Sequence, residues 1–156
     1  MDAIVAVYSD WGIGKNGTQP VVLHADRKHF QRVTEGRTVI VGRKTLADLP
    51  GGKPLRGRRT IVVTRQELTI EGAETAHNPE EAREKCPDAV VIGGAGVYRD
   101  FYELLDRVFV TKIELCPASD SFFPDLDAAE DWQITDEGEE LCEDGIRFRF
   151  LVYERK

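Results

Sequence analysis

A carboxylate on an apolar helical face is the first feature of the sequence that could do chemistry. In the segment 24–34, Asp26, Phe30 and Val33 follow one another at helical spacing and share one face, opposite an exposed face that carries Lys28, Gln31 and Arg32. Asp26 could cap the helix or complement its dipole. Alternatively, it projects into an apolar pocket, where desolvation raises its pKa and it meets a ligand with paired N–H donors.

Two glycine-containing junctions indicate where phosphate groups could bind. "VIVGRKT" runs from an apolar strand through Gly42 into a short helix, and "VVIGGAGVYRDF" runs through Gly93, Gly94 and Gly96 into another. Glycine at the carboxyl end of a strand, before a helix, allows backbone to approach a phosphate closely. Two such junctions and a basic middle of the chain favour a ligand with more than one phosphate. The basic residues are Arg43, Lys44, Lys53, Arg56, Arg58, Arg59 and Arg65. For the basic residues themselves, a site for small anions and a solvated basic loop remain open as alternatives.

A third glycine motif fails the test of its context. "WGIGKNGTQP" matches the dinucleotide-binding pattern G-x-G-x-x-G at Gly12, Gly14 and Gly17. That pattern needs a helix beginning at the glycines, so that free N–H groups face a pyrophosphate. Pro20 follows here, and proline disfavours helical backbone in the residue before it. The sequence therefore predicts a flexible loop over residues 12–20.

Other chemistry finds little support in the sequence. His24 and His29 are five residues apart, unlike two metal ligands on one helical face, and we expect no metal site. No Ser–His–Asp or Cys–His arrangement stands out. Cys86, Cys116 and Cys142 are odd in number and widely spaced, so we expect reduced packing residues.

Strand and helix patterns alternate along the chain and must position these residues. Strands are predicted at 4–8, 38–41, 60–64, 89–92, 108–115, 133–136 and 146–153, with a weaker one at 74–76. Helices are predicted at 24–34, 44–48, 79–86 and 97–105. Asn78 and Pro79 form a helix start, and Asp144-Gly145 predicts a hairpin turn before the last strand. The pattern predicts one α/β domain over residues 1–156, with a mainly parallel sheet and an antiparallel edge.

Composition narrows the functional classes. The chain has 156 residues, of which 41% are hydrophobic, and a net charge of −7. No apolar run approaches the roughly 20 residues that span a bilayer, and the first residues do not resemble a signal peptide. The negative charge argues against a general nucleic-acid surface. We therefore expect a cytoplasmic protein that binds neither membranes nor nucleic acid.

Several motifs occur in an order and spacing that resemble one family over nearly the whole chain. They are "AIVAV", "GIGKNGTQP", Asp26 with Phe30, "VIVGRKT", "PLRGRRTIVVTR", "VVIGGAGVY", "VTKI" and "DSFFPDL". The chain thereby resembles a dihydrofolate reductase of the bacterial chromosomal type. The resemblance implies a single-domain, mostly parallel eight-stranded mixed sheet flanked by four helices, with an antiparallel C-terminal edge. It also implies a monomer that reduces 7,8-dihydrofolate to tetrahydrofolate with NADPH, supplies one-carbon metabolism and binds antifolate inhibitors.

The resemblance also implies how the substrate is bound. Asp26 and Thr111 are the implied catalytic residues, with Asp26 binding the 2-amino group and N3 of the pterin. Arg58 is implied to pair with the α-carboxylate of the glutamate tail in a bidentate geometry that lysine cannot copy. The implied substrate-binding residues are Val5, Ala6, Asp26, Phe30, Leu49, Leu55, Arg58, Ile92, Tyr98 and Thr111.

NADPH is implied to lie along both glycine junctions. Arg43, Thr64 and Arg65 would hold the 2′-phosphate, which selects NADPH over NADH. The implied cofactor-binding residues are Ala6, Ile13, Gly14, Gly42, Arg43, Lys44, Thr45, Thr64, Arg65, Gln66, Gly93, Gly94, Ala95, Gly96, Val97 and Tyr98. In this family the peptide bond that matches Gly93–Gly94 is cis. Residues 12–20 resemble a mobile loop that closes over nicotinamide and pterin, and Asp120 matches a residue that hydrogen-bonds its closed form.

One departure from the family pattern keeps two alternatives open. Val21 stands where family members usually carry a tryptophan, whose indole N–H holds a water beside the pterin. This change places turnover, its pH profile and antifolate affinity in question. A related reductase of riboflavin synthesis, acting on a ribosylated pyrimidine, would lack the set of Asp26, Phe30 and Arg58. A non-catalytic NADPH- or folate-binding protein is the other alternative, and the missing tryptophan is its one positive indication.

Overall fold

The apolar runs of the sequence form the strands of one central sheet, with helices in the connections between them. The structure, a computed structural model, describes residues 1–15 and 19–156. The strands are β1 (Asp2–Val7), β2 (Gly12–Gly14), β3 (Thr38–Gly42), β4 (Arg59–Val63), β5 (Glu74–Ala76), β6 (Val90–Gly93), β7 (Arg107–Ile113), β8 (Ser121–Phe122), β9 (Trp132–Glu137), β10 (Leu141–Glu143) and β11 (Ile146–Arg155). The helices are α1 (His24–Thr34), α2 (Arg43–Asp48), α3 (Pro79–Lys85) and α4 (Ala95–Phe101), with 3₁₀ turns at Pro50–Gly52 and Tyr102–Leu104. None of these described helices is long and apolar enough to cross a membrane.

The main sheet has the strand order β10-β11-β7-β1-β6-β3-β4-β5. The strands from β7 to β5 in this order run parallel, and β11 pairs with β7 in the antiparallel sense. β9 and β10 both pair with the edge of β11 that faces away from β7, so they are two segments of one interrupted edge strand. The interruption includes Gly138, whose N–H donates to the carbonyl of Phe150. Over the described residues, the predicted α/β fold, with eight strand positions, four helices and an antiparallel C-terminal edge, is confirmed.

The strand interiors are apolar because both faces of the parallel strands are covered. Ala3 and Val7 of β1, Ile40 of β3 and Val91 of β6 are fully or almost fully buried. Such continuous apolar runs are typical of parallel sheets with connections on both faces. A second cluster, made by Tyr8, Leu23, Ile113 and Phe148, joins the start of α1 to the antiparallel edge.

Several predicted boundaries differ from the structure. The prediction of a flexible loop over 12–20 is wrong for Gly12–Gly14, which pairs with β8, while positions 16–18 lie outside the described residues. Trp11 explains this order, because its indole is buried against Phe123 and Tyr153. The helix predicted at 97–105 begins earlier, at Ala95, and its last turn is a 3₁₀ turn. β8 and β10 were not predicted, because strands of two and three residues are too short to show a hydrophobic periodicity.

The cysteine prediction is only partly right. All three cysteines are free. Cys116 and Cys142 are exposed, so the prediction that they pack in the interior is wrong for these two. Cys116 lies beyond the end of β7, and Cys142 lies on the outermost strand β10, whose first two residues are exposed.

The amino ends of the parallel strands are joined by a partly buried ion cluster. Asp2, at the start of β1, accepts hydrogen bonds from Nη2 of Arg37 at 3.0 Å and from Nη2 of Arg107 at 2.8 Å. Arg37 also donates to the carbonyl of Asp88, just before β6. Only 10% of the Asp2 side chain is exposed, so the two guanidinium groups replace most of its hydration. The cluster therefore fixes β1, β3 and β7 relative to one another.

We expect Asp2→Ala to lower the free energy of unfolding by about 1–3 kcal/mol, because it leaves two guanidinium groups without their shared carboxylate. Urea unfolding measures this difference. The matched control is Asp136→Ala, which removes an exposed carboxylate from β9 and should stay within about 0.5 kcal/mol of the wild type. Equal stabilities of the two variants would contradict the role assigned to the cluster.

Candidate active site

A cleft of about 1390 Å³ lies at the carboxyl ends of the parallel strands. In α/β sheets this edge collects ligand sites, because the chain leaves every parallel strand there and enters a loop or helix. The last residues of β3, β4 and β6 all line the cleft, as does Ala6 near the end of β1. The side chains of Asp26, Phe30 and Tyr98 complete one end of it.

Asp26 reaches this cleft from the first turn of α1. Its Oδ1 accepts a hydrogen bond of 2.6 Å from Oγ1 of Thr111, which is 1% exposed on β7. Thr111 pairs with Ala6 on the neighbouring strand, so the hydroxyl group comes from the floor of the sheet. Lys28, Gln31 and Arg32 are exposed on the opposite face of the helix, as predicted.

Burial raises the pKa of the Asp26 carboxyl above its ordinary value. The hydrogen bond from Thr111 opposes this effect, and the negative charge of Glu143 adds to it. Tyr98, which lines the same end of the cleft, donates to the carbonyl of Ile4 at 2.6 Å, and burial also raises its pKa. A partly desolvated carboxylate with one hydroxyl donor can still accept hydrogen bonds from a planar ligand with paired N–H groups.

The two glycine junctions meet in the middle of the cleft. A Cβ atom on Gly42 would lie 2.8 Å from Cγ2 of Val97, and a Cβ atom on Gly94 would lie 2.8 Å from Oγ1 of Thr45. The absence of these two side chains therefore permits the contact between the starts of α2 and α4. The peptide bond between Gly93 and Gly94 is cis, as the resemblance implies.

The other end of the cleft is basic. Arg43, Lys44, Thr64 and Arg65 all line it. Nη1 of Arg43 donates to Oε1 of Gln66 at 2.5 Å, and the N–H of Gln66 donates to Oγ1 of Thr64 at 3.2 Å. Neither Arg43 nor Arg65 forms an ion pair with a carboxylate in the part of the chain that the structure describes. Their charges are therefore available to an anionic ligand.

Most of the sequence-predicted site residues line this cleft. They are Val5, Ala6, Ile13, Gly14, Asp26, Phe30, Gly42, Arg43, Lys44, Thr45, Thr64, Arg65, Ile92, Gly93, Gly94, Ala95, Gly96, Val97 and Tyr98.

Five others do not line it: Leu49, Leu55, Arg58, Gln66 and Thr111. Thr111 and Gln66 contact lining residues through hydrogen bonds. Leu49 packs against the small core cluster of Val41, Leu46 and Val62, and Leu55 is half-buried. Arg58 lies near the far end of α1, where its Nε donates to Oγ1 of Thr34 at 3.0 Å.

The cleft also contains residues that sequence reasoning missed. They are Ile4, Gln19, Asp48, Val63, His77, Asn78, Pro79, Glu80, Asp100 and Ser121. His77 to Glu80 follow β5 and include the start of α3. The predicted strand at 74–76 and the predicted helix start after it could therefore have indicated that these residues lie at the same edge of the sheet. Gln19 and Ser121 carried no such signal, since Gln19 lies outside the helices and strands and Ser121 belongs to β8, which has only two residues. Nε2 of Gln19 donates to the carbonyl of Ala6 at 3.2 Å.

The segment before the undescribed positions contacts the loop that carries Asp120. The backbone N–H of Asp120 donates to the carbonyl of Gly14 at 3.0 Å, next to the pairing of Gly14 with Ser121. The resemblance implies a hydrogen bond between Asp120 and this loop, and the structure contains one that the backbone makes. Within residues 1–15 and 19–156, no group of three or more His, Cys, Asp or Glu side chains could hold a metal ion.

Asp26→Asn should raise the melting temperature at about pH 8 by a few degrees. Because its pKa is raised on folding, the folded state binds a proton more tightly than the unfolded chain does, and the ionised carboxylate costs stability above that pKa. The difference should shrink as the pH falls through the raised pKa towards 3.8, the ordinary value. Thermal unfolding across pH measures it. A variant less stable than the wild type at every pH would show that Asp26 acts as a stabilising helix cap instead.

Comparison with known proteins agrees with the geometry. The family model described as dihydrofolate reductase matches residues 1–155. The chain is 36% identical over 157 residues to the dihydrofolate reductase of Neisseria meningitidis serogroup B, covering 97% of this chain and 96% of that protein. It is 35% identical to the enzyme of that name from Mycobacterium tuberculosis strain H37Rv, over 92% and 90% of the two chains. For the Bacillus subtilis dihydrofolate reductase the identity is 31%, over 92% and 88%. The chain belongs to the dihydrofolate reductase family.

Proposed function

We propose that the chain catalyses the NADPH-dependent reduction of 7,8-dihydrofolate to 5,6,7,8-tetrahydrofolate. The observation that carries this proposal is the Asp26 carboxylate, held by Thr111 at the apolar end of a cleft whose other end is basic. Membership of the family, and the names of the three relatives, supply the reaction class. The product would support one-carbon transfer and the synthesis of thymidylate and purines.

Asp26 binds and orients the pterin in this proposal. A pterin presents a 2-amino group and N3 side by side, and a carboxylate with two oxygens accepts a hydrogen bond from each. Phe30 and Ile92, together with Val5, provide apolar contacts to the ring and limit the access of water. A pterin bound in this way would hold N5 away from Asp26, so a water would deliver that proton. The negative charge of the carboxylate raises the basicity of N5.

Bound NADPH would supply the hydride for pterin C6. The residues of the cleft fit such a dinucleotide, because the close contacts at Gly42 and Gly94 bring the starts of α2 and α4 together in the cleft, where their N–H groups would meet a pyrophosphate. Thr45, Lys44 and the segment from Gly94 to Val97 would bind the pyrophosphate. Arg43 and Arg65, which have no carboxylate partner among the described residues, would bind the 2′-phosphate with Thr64. The chain's contribution is orientation and electrostatics.

The glutamate tail of the substrate would bind at Arg58. Thr34 accepts a hydrogen bond from Arg58 Nε and donates one of 2.7 Å to the carbonyl of Phe30, so the guanidinium is tied to α1. Arg58 Nη1 also donates to the carbonyl of Arg56. The planar fork is thereby held near the end of the helix that carries Asp26 and Phe30. This position, outside the cleft itself, is compatible with a tail that extends beyond the apolar end.

Asp26→Asn should lower the turnover of dihydrofolate at neutral pH by about 100-fold or more, because an amide neither polarises the pterin nor accepts two hydrogen bonds. The deficit should shrink at low pH, where the substrate is already protonated. NADPH consumption with dihydrofolate, followed across pH, measures both effects.

Asp136→Asn is the matched control, since it makes the same chemical change at an exposed position on β9, and it should keep the wild-type rate. If the wild type and Asp26→Asn bind NADPH tightly but neither consumes it, the chain is a binding protein. A wild type that turns over dihydrofolate with no loss in Asp26→Asn would remove Asp26 from the mechanism.

The double variant Arg43→Gln with Arg65→Gln should raise the KM for NADPH by about 10- to 100-fold, because each arginine contributes a charge-assisted hydrogen bond to the 2′-phosphate. The KM for NADH should change little. Steady-state rates with each cofactor measure this selectivity. Arg99→Gln, an exposed change on α4 away from the cleft lining, serves as the control. An equal loss with NADPH and NADH would show that the two arginines do not recognise the 2′-phosphate.

A further inference from the structure

The helix that carries Asp26 is capped by a residue from the other end of the chain. α1 begins after Leu23, whose side chain cannot accept a hydrogen bond, so the first N–H groups of the helix need another acceptor. Glu143 provides it. Its Oε2 accepts from the N–H of His24 at 2.6 Å, and its Oε1 accepts from the N–H of Ala25 at 2.9 Å.

A tight hairpin holds Glu143 in place. Glu143 is the last residue of β10 and pairs with Ile146, so only Asp144 and Gly145 form the turn. Both turn residues have positive φ angles, 53° and 78°. Asp-Gly is a sequence that adopts such a turn readily, and its twist matches that of the two strands.

The same hairpin also packs against the start of α1. Leu141 of β10 pairs with Phe148 of β11, and Phe148 belongs to the buried cluster that includes Leu23. The hydrogen bonds from Glu143 and the apolar contact of Phe148 therefore act on the same turn of the helix. This double contact fixes the direction in which the turn presents its side chains.

Asp26 is the next residue after the two N–H groups that Glu143 binds. A carboxylate in the first turn of a helix is normally stabilised by the free N–H groups and the positive end of the dipole. Here those groups are occupied by a second carboxylate, and the Asp26 side chain forms its hydrogen bond with Thr111 instead.

We propose that Glu143 is a positioning residue for Asp26: it fixes the first turn of α1 and occupies the N–H groups that would otherwise stabilise the Asp26 carboxylate. Asp26 is thereby left to face the cleft. The inference rests on the proposed function only for the role of Asp26 in turnover. The arrangement itself is independent of the substrate.

The charged and titratable groups around Asp26 come from the hairpin, from β7, from α4 and from α1 itself. From the hairpin, the Glu143 charge raises the pKa of Asp26, and from β7 the Thr111 hydroxyl lowers it. From α4, Tyr98 faces Asp26 with a pKa that burial raises, so it stays neutral. The N–H groups of Ala25 and His24 hold the pKa of Glu143 below its ordinary value, so Glu143 stays charged. The basic side chains near Asp26 on α1 are those of His24, Arg27, Lys28, His29 and Arg32.

The test is the titration of Asp26 in the ligand-free protein with and without Glu143. Aspartate labelled with ¹³C at the carboxyl carbon gives the midpoint by NMR, and Asp26→Asn assigns the signal. Glu143→Gln removes the charge and keeps one acceptor oxygen. We expect the midpoint of Asp26 to move to lower pH, because a like charge is lost and helix N–H groups become free. The difference from the wild type should shrink at high salt.

Two further variants separate the charge from the hydrogen bonds. Glu143→Ala removes both acceptors, and its melting temperature should fall by about 2–4 °C, as for the loss of a helix cap in a chain of this length. Glu140→Gln removes an exposed carboxylate from the same edge of the sheet and should leave the Asp26 midpoint unchanged.

The outcomes distinguish this inference from the proposed function. A shifted Asp26 midpoint in Glu143→Gln, with a matching shift in the pH profile of kcat, supports both. A shifted midpoint in a protein that does not turn over dihydrofolate supports the inference and removes the function. An unchanged midpoint in an active enzyme overturns the inference, and a lower melting temperature alone would then leave Glu143 with a purely structural role.

Discussion

The hydrogen bond between Thr111 and Asp26 is the interaction on which the rest of the site depends. It joins the floor of the sheet to the first turn of α1, so the position of the carboxylate is fixed by the two elements together. Leu23 and Phe148 hold the helix against the sheet, and Glu143 satisfies its first N–H groups. These contacts allow a carboxylate to remain in an apolar part of the cleft, where its ionised form costs stability and its hydrogen-bonding capacity is kept for a ligand.

A second constraint shapes the cofactor end of the cleft. The starts of α2 and α4 approach each other only because Gly42 and Gly94 lack side chains. The parallel order of β1, β6 and β3 brings the two junctions to one edge, next to Ala6. The topology therefore places a phosphate-compatible backbone beside the apolar end that contains Asp26. A reaction between a dinucleotide and a planar ring needs this proximity of two dissimilar surfaces.

The sequence was most informative where it contained a regular hydrophobic periodicity or a recognisable junction between a strand and a helix. The face of Asp26 and Phe30, the two glycine junctions and the mainly parallel sheet with its antiparallel edge were predictable for that reason. Residues that reach the site through tertiary contacts could not be predicted from the sequence. In the sequence, Glu143 is one of several acidic residues in an acidic segment. Nothing there indicates its contacts with His24 and Ala25, which are more than a hundred positions away. The order of Gly12–Gly14 depends on the burial of Trp11, which a glycine-rich loop does not reveal.

The most direct measurement of the central claim is the ionisation of Asp26 in a complex. The carboxyl signal of ¹³C-labelled Asp26 would be followed across pH in the free protein and with a bound 2,4-diaminopyrimidine, which presents the paired N–H donors that the site should accept. We expect Asp26 to titrate above the ordinary aspartate range when free and to stay ionised throughout in the complex, paired with the protonated ring. An Asp26 signal that titrates identically in the free and bound protein would contradict the account, because the ligand would then bind elsewhere.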